Sequence, residues 1–495
     1  MITMLKALPD EGLSFDEIRV RLNGFSRHDM PDNKGKLFSY VYESGIKELD
    51  NIKEFYCAFL NKNALDFTVF PSALVLENQI VAMTASLLHG DEATVGNFTS
   101  GGTESIMLAV KSARDYLRAS RGGGSGRPEV IIPSTGHPAF VKAAGFFDMN
   151  LKVVPVDKKT FKVKAEDVER SVTENTALIV GSAPSYPTGV IDPIEELGEV
   201  AVKRNVRLHV DACIGGFILP FFRLLGERLP EFDLSVKGVT SISADLHKYG
   251  YAPKGASVVL YRNKDLRVHQ LFTNASWPGY PMANTTLQST RSAGPIAAAW
   301  ATLNYLGKNG YIELSKKVLA ARGRLIGGLE GAGYEILGRP ESSIVAFKRD
   351  DVNIFQVADQ MKSKGWYVQV QPGSEELDYV ASLHMTVTAA HENSIEPFIE
   401  SLKECTESVK SLKVSDQGKG IGLPQIGFSP EELNSLVASL SHALASPDEE
   451  SGSQMTLINQ LIRTLPHELV EKMFKTIVNE VFTPARGDEK DKQGI

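Results

Sequence analysis

From about residue 70, apolar positions switch repeatedly between a helical and a strand-like period, and that alternation predicts the architecture. Residues 72–88 read as a helix. Residues 104–118 read as a stronger one, with Ile106, Val110, Ala113 and Leu117 along one stripe. Short β-branched runs follow at 130–132, 152–156, 178–180, 208–210, 238–243 and 257–261, with helical segments such as 194–203 between several of them. This β–α alternation predicts an α/β fold, a largely parallel sheet with helices on both faces. Ligands in such sheets bind at the carboxyl ends of strands, so chemistry is expected in the loops just after them.

The flanking regions follow other patterns. Residues 5–25 have weak helical periodicity, 37–42 are rich in aromatics, and 46–60 are apolar at helical spacing, so the amino-terminal part reads as an arm. A long helical stretch from 297 to 329 leads to a smaller α+β layer. It comprises strand-like runs at 343–347, 367–370 and 383–388 and helices at 355–364 and 395–409. After a glycine-rich break at 417–424, residues 430–445 and 466–482 look helical, each starting with a proline suited to a first helical turn. The expected division is an arm at 1–65, a large domain at 66–315, a small domain at 316–415 and a helical extension with a tail at 416–495.

Composition narrows the function classes. The 495 residues exceed the roughly 250–300 at which one core stops growing, so more than one domain is expected. The net charge of −7 excludes a general polyanion binder, and no nucleic-acid partner is expected. Cys57, Cys213 and Cys405 are too few for a disulfide framework and too widely spaced for a zinc pattern, so no metal is expected. The amino terminus lacks a signal-peptide core, and no run approaches the roughly 20 apolar residues of a membrane helix. The expectation is a cytoplasmic protein with no integral membrane segment.

Four signals fall just after strands. Thr99-Ser100-Gly101-Gly102-Thr103-Glu104 opens the strong helix, where two glycines and a positive helix end suit a phosphate; capping of the helix by Ser100 or Thr103 is the competing account. His137, in Gly136-His137-Pro138, could lie on an aromatic cofactor or simply cap a helix. Asp211 ends a strand, where an acid can pair with a protonated ring nitrogen, cap a helix or bind a metal. The segment 243–255 holds His247, Lys248, Tyr249 and Lys254. Crowded cations are expected to lower a lysine's pKa and favour Schiff-base chemistry, against the alternative of a basic turn. Together the four describe a site for pyridoxal 5'-phosphate, with phosphate at Gly102–Thr103, His137 on the ring, Asp211 at the ring nitrogen and Lys248 as the attachment point.

The matching runs are TSGGTES at 99–105, GVIDP at 189–193, LHVDACIGGF at 208–217, VKGVTSISAD at 236–245 and HKYGYAPKG at 247–255. On these runs the chain resembles the sphingosine-1-phosphate lyase family, within the group II pyridoxal-phosphate decarboxylases of the aspartate-aminotransferase-like fold (fold type I). The similarity extends from about residue 35 to 410. The resemblance implies retro-aldol cleavage of a phosphorylated sphingoid base to a long-chain aldehyde and phosphoethanolamine. It also implies a homodimer with shared active sites. An amino-acid decarboxylase on the same scaffold is the alternative. Lys248 matches the Schiff-base lysine, Asp211 the pyridinium partner and His137 the stacking histidine. Gly102, Thr103 and His247 match cofactor-phosphate contacts, and Lys254 the second lysine, implicated in substrate binding or proton transfer. Tyr42 matches a tyrosine that reaches the substrate from the neighbouring subunit, and Thr290 a serine that reaches the partner's cofactor phosphate. One position departs: the family's substrate-phosphate histidine is here Asp66.

Overall fold

Seven strands form the central sheet of the computed structural model, which describes residues 8, 10–30, 35–120, 126–411 and 451–483. In chain order they are β1 (Val95–Thr99), β2 (Glu129–Pro133), β3 (Asn150–Val154), β4 (Thr176–Ser182), β5 (Arg207–Asp211), β6 (Val239–Ala244) and β7 (Ser257–Tyr261). Their order across the sheet is β1-β7-β6-β5-β4-β2-β3. The run from β6 through β5, β4 and β2 to β3 is parallel, whereas β7 is antiparallel to both β1 and β6. β2, β4, β5 and β7 are buried along their whole length, as strands covered on both faces must be.

The helices are α1 (Phe15–Phe25), α2 (Ile52–Phe59), α3 (Pro71–Leu87), α4 (Gly102–Ser120), α5 (Pro138–Phe146), α6 (Ala165–Ser171), α7 (Ile194–Arg204), α8 (Leu219–Leu224), α9 (Lys264–Arg267), α10 (Gly294–Gly331), α11 (Ile354–Ser363), α12 (Ile395–Ser411), α13 (Ser451–Thr464) and α14 (His467–Val481). The stripe read on α4 is the face it buries: Ile106, Val110 and Ala113 pack with Val130 of β2 and Val180 of β4, and Leu117 lies against them.

A hairpin of β8 (Phe272–Asn274) and β9 (Met282–Asn284) precedes α10. A second sheet, ordered β10-β11-β13-β12, comprises β10 (Glu335–Ile336), β11 (Ile344–Lys348), β12 (Gln369–Gln371) and β13 (Ser382–Thr386), all antiparallel. The expected boundary at 315 falls inside α10, whose kink lies earlier, at Gly307. One apolar cluster joins Ile179 of β4, Leu325 of α10 and Phe347 of β11, so the two sheets share a core.

The arm is fastened to the small sheet. Phe38 is fully buried and stacks on His391 at 4.1 Å, and the Phe38 carbonyl accepts from the Thr386 N–H at 2.7 Å. At the other end, α13 docks on α11, where Asp359 Oδ2 accepts from the Thr456 N–H at 3.0 Å. The helix expected at 430–445 lies outside the described residues. No helix among the described residues is long and apolar enough to cross a membrane.

Candidate active site

The carboxyl ends of the parallel strands, the start of α4 and the fastened arm surround a cavity of about 450 Å³. Gly102, Thr103, His137, Asp211, His247, Lys248, Lys254 and Tyr42 all line it. Thr290 does not. It is exposed in the loop after β9, beside Arg291, whose guanidinium is fixed to Glu77 Oε2 at 2.5 Å and to the Phe98 carbonyl at 2.9 Å.

Each side chain is held by its element. β5 ends at Asp211, whose Oδ1 accepts from the Cys213 N–H at 3.1 Å. His137 is the N-cap of α5: its Nδ1 accepts from the Ala139 N–H at 3.1 Å while the ring lines the cavity. The capping and cavity accounts of this histidine therefore hold together. Burial lowers its pKa. His247 Nδ1 accepts from the Ala256 N–H at 3.1 Å, which leaves Nε2 to carry the proton of the neutral ring. The Lys248 loop is pinned on both sides: Tyr249 donates to the Val387 carbonyl at 2.6 Å, and Tyr311 of α10 donates to the Gly250 carbonyl at 2.8 Å. At the start of α4, Glu104 accepts from the Ser100 N–H at 2.7 Å and from the Leu287 N–H at 2.9 Å, tying the glycine loop to the segment that leads to Thr290.

The electrostatics correct one expectation. Cationic crowding was expected to depress Lys248, but its amine is held above the ordinary lysine range. Burial lowers it, and the Asp245 carboxylate, with lesser help from Tyr42, Cys213 and Asp211, more than reverses that. Lys248 Nζ lies 3.0 Å from Asp245 Oδ2. The depressed lysine is Lys254, lowered by burial and by the Lys248 charge. Lys254 Nζ donates to the Tyr40 carbonyl at 2.7 Å and sits 5.4 Å from the centre of the Tyr42 ring. Burial pushes the Tyr42 phenol up to about 12, against the opposing pull of Lys248.

Tyr42, which the resemblance brings from a neighbouring subunit, lines the cavity of its own chain and packs edge-on against Tyr249 at 5.0 Å. The anchoring of Phe38 on the small sheet sends the arm across this chain's own site. Asp66 stands apart from the cavity. Its carboxylate accepts from the Thr68 hydroxyl at 2.6 Å and the Thr68 N–H at 2.8 Å, and these bonds hold it below the usual carboxylate range.

Sequence reasoning assigned no role to Asp245, Cys213, Tyr186 or Glu104, all of which line the cavity. Asp245 carried a legible signal, an acid one turn before the lysine. Cys213 and Tyr186 carried none, since only the fold brings them in.

Comparison with known proteins places this geometry. Residues 33–348 match the family model of the pyridoxal-dependent decarboxylase conserved domain. A sphingosine-1-phosphate lyase of Oryza sativa subsp. japonica is 42% identical over 418 residues, covering 83% of this chain and 76% of that one. Sphingosine-1-phosphate lyase 1 of Rattus norvegicus is 40% identical, covering 85% of this chain and 73% of that one. The solved structure of a Burkholderia pseudomallei sphingosine-1-phosphate lyase superposes with a TM-score of 0.77 at 36% identity, over 82% of this chain and 94% of that one. A Lactobacillus brevis glutamate decarboxylase shares the fold at a TM-score of 0.73 and 22% identity, over 83% of this chain and 97% of that one. With the family model matching more than half of this chain and such relatives aligned over most of their own length, the chain belongs to the pyridoxal-dependent decarboxylase family, in its sphingosine-1-phosphate lyase branch.

Proposed function

We propose that this chain is a pyridoxal-phosphate-dependent aldehyde-lyase. It cleaves the Cα–Cβ bond of sphingosine 1-phosphate, or a related phosphorylated sphingoid base, to a long-chain aldehyde and phosphoethanolamine. The observation that carries the reading is a second lysine, Lys254, in the cavity that holds Lys248 and Asp211.

The residues present fit the cofactor. At Gly102 a Cβ would lie within 3.0 Å of Cys213 and Asp245, so the bare backbone there is a cradle with no room for a side chain. The first turn of α4 offers free N–H groups beside it. Gly102, Thr103 and His247 would hold the phosphate, His137 would face the ring, Asp211 would keep the ring nitrogen protonated, and Lys248 would supply the amine. When bound, the cofactor provides an electron-poor ring that accepts the electrons of the breaking bond.

The two remaining polar groups divide by proton affinity. Tyr42, with its phenol pushed up to about 12, keeps its proton at neutral pH and acts as a donor. Lys254, lowered from the ordinary lysine value, is the better base for the substrate's 3-hydroxyl, at Nζ. Its hydrogen bond to the Tyr40 carbonyl holds that nitrogen at the cavity mouth.

The reading includes a homodimer in the cytoplasm. Exposed Phe67, Val69, Leu74 and Val75 at the start of α3 give an apolar patch of the kind that subunit contacts cover, and Thr290 is exposed and free to reach a partner's phosphate. The three free cysteines suit a reducing compartment.

Product analysis tests the proposal. Purified protein is given sphingosine 1-phosphate or a panel of amino acids, and long-chain aldehyde and carbon dioxide are measured. Aldehyde from the phosphorylated base alone is expected; carbon dioxide from an amino acid would establish a decarboxylase instead. Lys248→Ala should abolish both turnover and the visible absorbance of bound cofactor, and retention of both would overturn the assignment.

A further inference from the structure

Asp245 is 2% exposed, and its two carboxylate oxygens are in unlike situations. Oδ2 lies 3.0 Å from Lys248 Nζ and 3.5 Å from His247 Nε2, whereas Oδ1 is buried with no hydrogen-bond partner. Both oxygens face the first residue of α4: a Cβ on Gly102 would sit 2.8 Å from Oδ2 and 2.9 Å from Oδ1. A buried carboxylate thus stands at the positive end of a 19-residue helix, where the cofactor phosphate is expected, and pairs with the lysine expected to receive the cofactor.

We propose that Asp245 is a positioning residue that acts as a resident counter-anion. It neutralises Lys248 and the α4 terminus while the phosphate is absent, and gives up that role when a phosphate dianion enters. The inference rests on the cofactor reading above. The arrangement solves a physical problem. The Lys248 side chain is only 21% exposed, and without the carboxylate 3.0 Å away the cofactor-free protein would hold that cation without its ion-pair partner. The arrangement also makes Asp245 a competitor for the anion site.

Other charged and titratable groups face the same amine. Asp245, Tyr42 from the arm, Cys213 just after β5 and Asp211 at its end hold the Lys248 proton on. His247 and Lys254 on its own loop, His137 before α5 and Tyr186 after β4 also feel its charge. Among these, Asp245 is the ion-pair partner in direct contact.

The test uses cofactor-free protein, with inorganic phosphate as the probe and calorimetric titration and thermal melting as readouts. Asp245→Asn should bind phosphate at least about tenfold tighter than wild type at pH 7, and phosphate should raise its melting temperature more. Lys248→Met leaves Asp245 unopposed and should bind phosphate at least about tenfold more weakly. The double variant, neutral at both positions, should return close to the wild-type value, a rescue that a merely structural Asp245 would not give. Cofactor uptake, followed by visible absorbance, should have its pH midpoint lowered in Asp245→Asn by about one unit or more, roughly tenfold in rate at a fixed pH below it. Weaker or unchanged phosphate binding in Asp245→Asn overturns the proposal, as does a double variant worse than both singles. If Asp245→Asn does not fold, the Lys248→Met result decides, and unchanged phosphate affinity there counts against the pairing. Aldehyde production by wild type together with a failed phosphate series would leave the lyase reading intact and reject this inference alone.

Discussion

Gly102 tests how tightly the site is built. Its φ lies outside the left-handed region, so the backbone would accept any residue and only space excludes a side chain. A Cβ there would lie 2.7 Å from Cys213 Sγ and under 3.0 Å from both Asp245 oxygens. Neither neighbour is free to retreat: Cys213 Sγ contacts Ser243 Oγ at 3.3 Å, and Asp245 is paired to Lys248 at 3.0 Å. Forcing a methyl into a filled interior costs about 1–3 kcal/mol. Alanine regains up to about 1 kcal/mol of helix propensity over glycine. With the full helix-propensity gain subtracted, Gly102→Ala should lose up to about 2 kcal/mol net, or up to roughly 8 °C at about 2–4 °C per kcal/mol for a unit of 150–250 residues. Gly327 supplies the control. It lies in α10, and a Cβ added there would meet nothing within 4 Å, so Gly327→Ala should gain about 0.5–1 kcal/mol. Urea midpoints followed by circular dichroism on cofactor-free protein give the comparison. Cofactor retained after dialysis gives a second readout, in which Gly102→Ala should fall and Gly327→Ala should not. If the two alanines stabilise in parallel, the close approach of α4 to Asp245 imposes no constraint and the reasoning fails.

Three further outcomes follow from the same geometry. Lys254→Met should keep the cofactor's visible absorbance but lose about 10²–10⁴-fold in turnover, the usual range for removing a general base; equal turnover in both proteins would remove Lys254 from the chemistry. Glu77→Ala strips the Arg291 guanidinium and the Asn97 side chain of a buried carboxylate and should cost about 3–5 kcal/mol in urea unfolding, while Glu77→Gln, which keeps an acceptor, should cost less. Stability should also fall with acid between about pH 6.5 and 4. His209, His384 and His391 are buried and depressed to about 4, so in that window the unfolded chain takes up protons that the folded chain refuses. Each histidine contributes on the order of 3 kcal/mol at most. Buried Asp192, raised to about 6, works in the opposite direction, since below that pH the folded state is the one that holds the proton. The prediction is a net loss, read from urea midpoints at pH 7 and pH 5, that shrinks in His384→Gln.

The local pattern carried most of the site, and its gaps have identifiable causes. The β-branched runs and the stripe on α4 were legible because burial imposes its period directly on the sequence. β1 was not, because Gly96 and Asn97 interrupt its apolar run; the Asn97 side chain bonds Glu77 and Gln270, from distant parts of the chain. The direction of β7 was open to reasoning and was missed. The connection from β6 to β7 contains no helix, and a parallel return needs a crossover, so that link favours the antiparallel pairing observed. The same short connection carries Lys248, and it explains the reversed sign of its pKa shift. Along the chain the evident charged neighbours of Lys248 are His247 and Lys254. In space the loop turns through the Lys248 N–H to Asp245 carbonyl bond at 3.3 Å and brings an acid against the amine, while Lys254 is drawn away to the Tyr40 carbonyl. Sequence order thus picked out both lysines that line the cavity but gave Lys248 the wrong direction of shift. Lys248 is the lysine whose amine the neighbouring acid holds charged, and Lys254 is the one lowered, by burial and by the Lys248 charge.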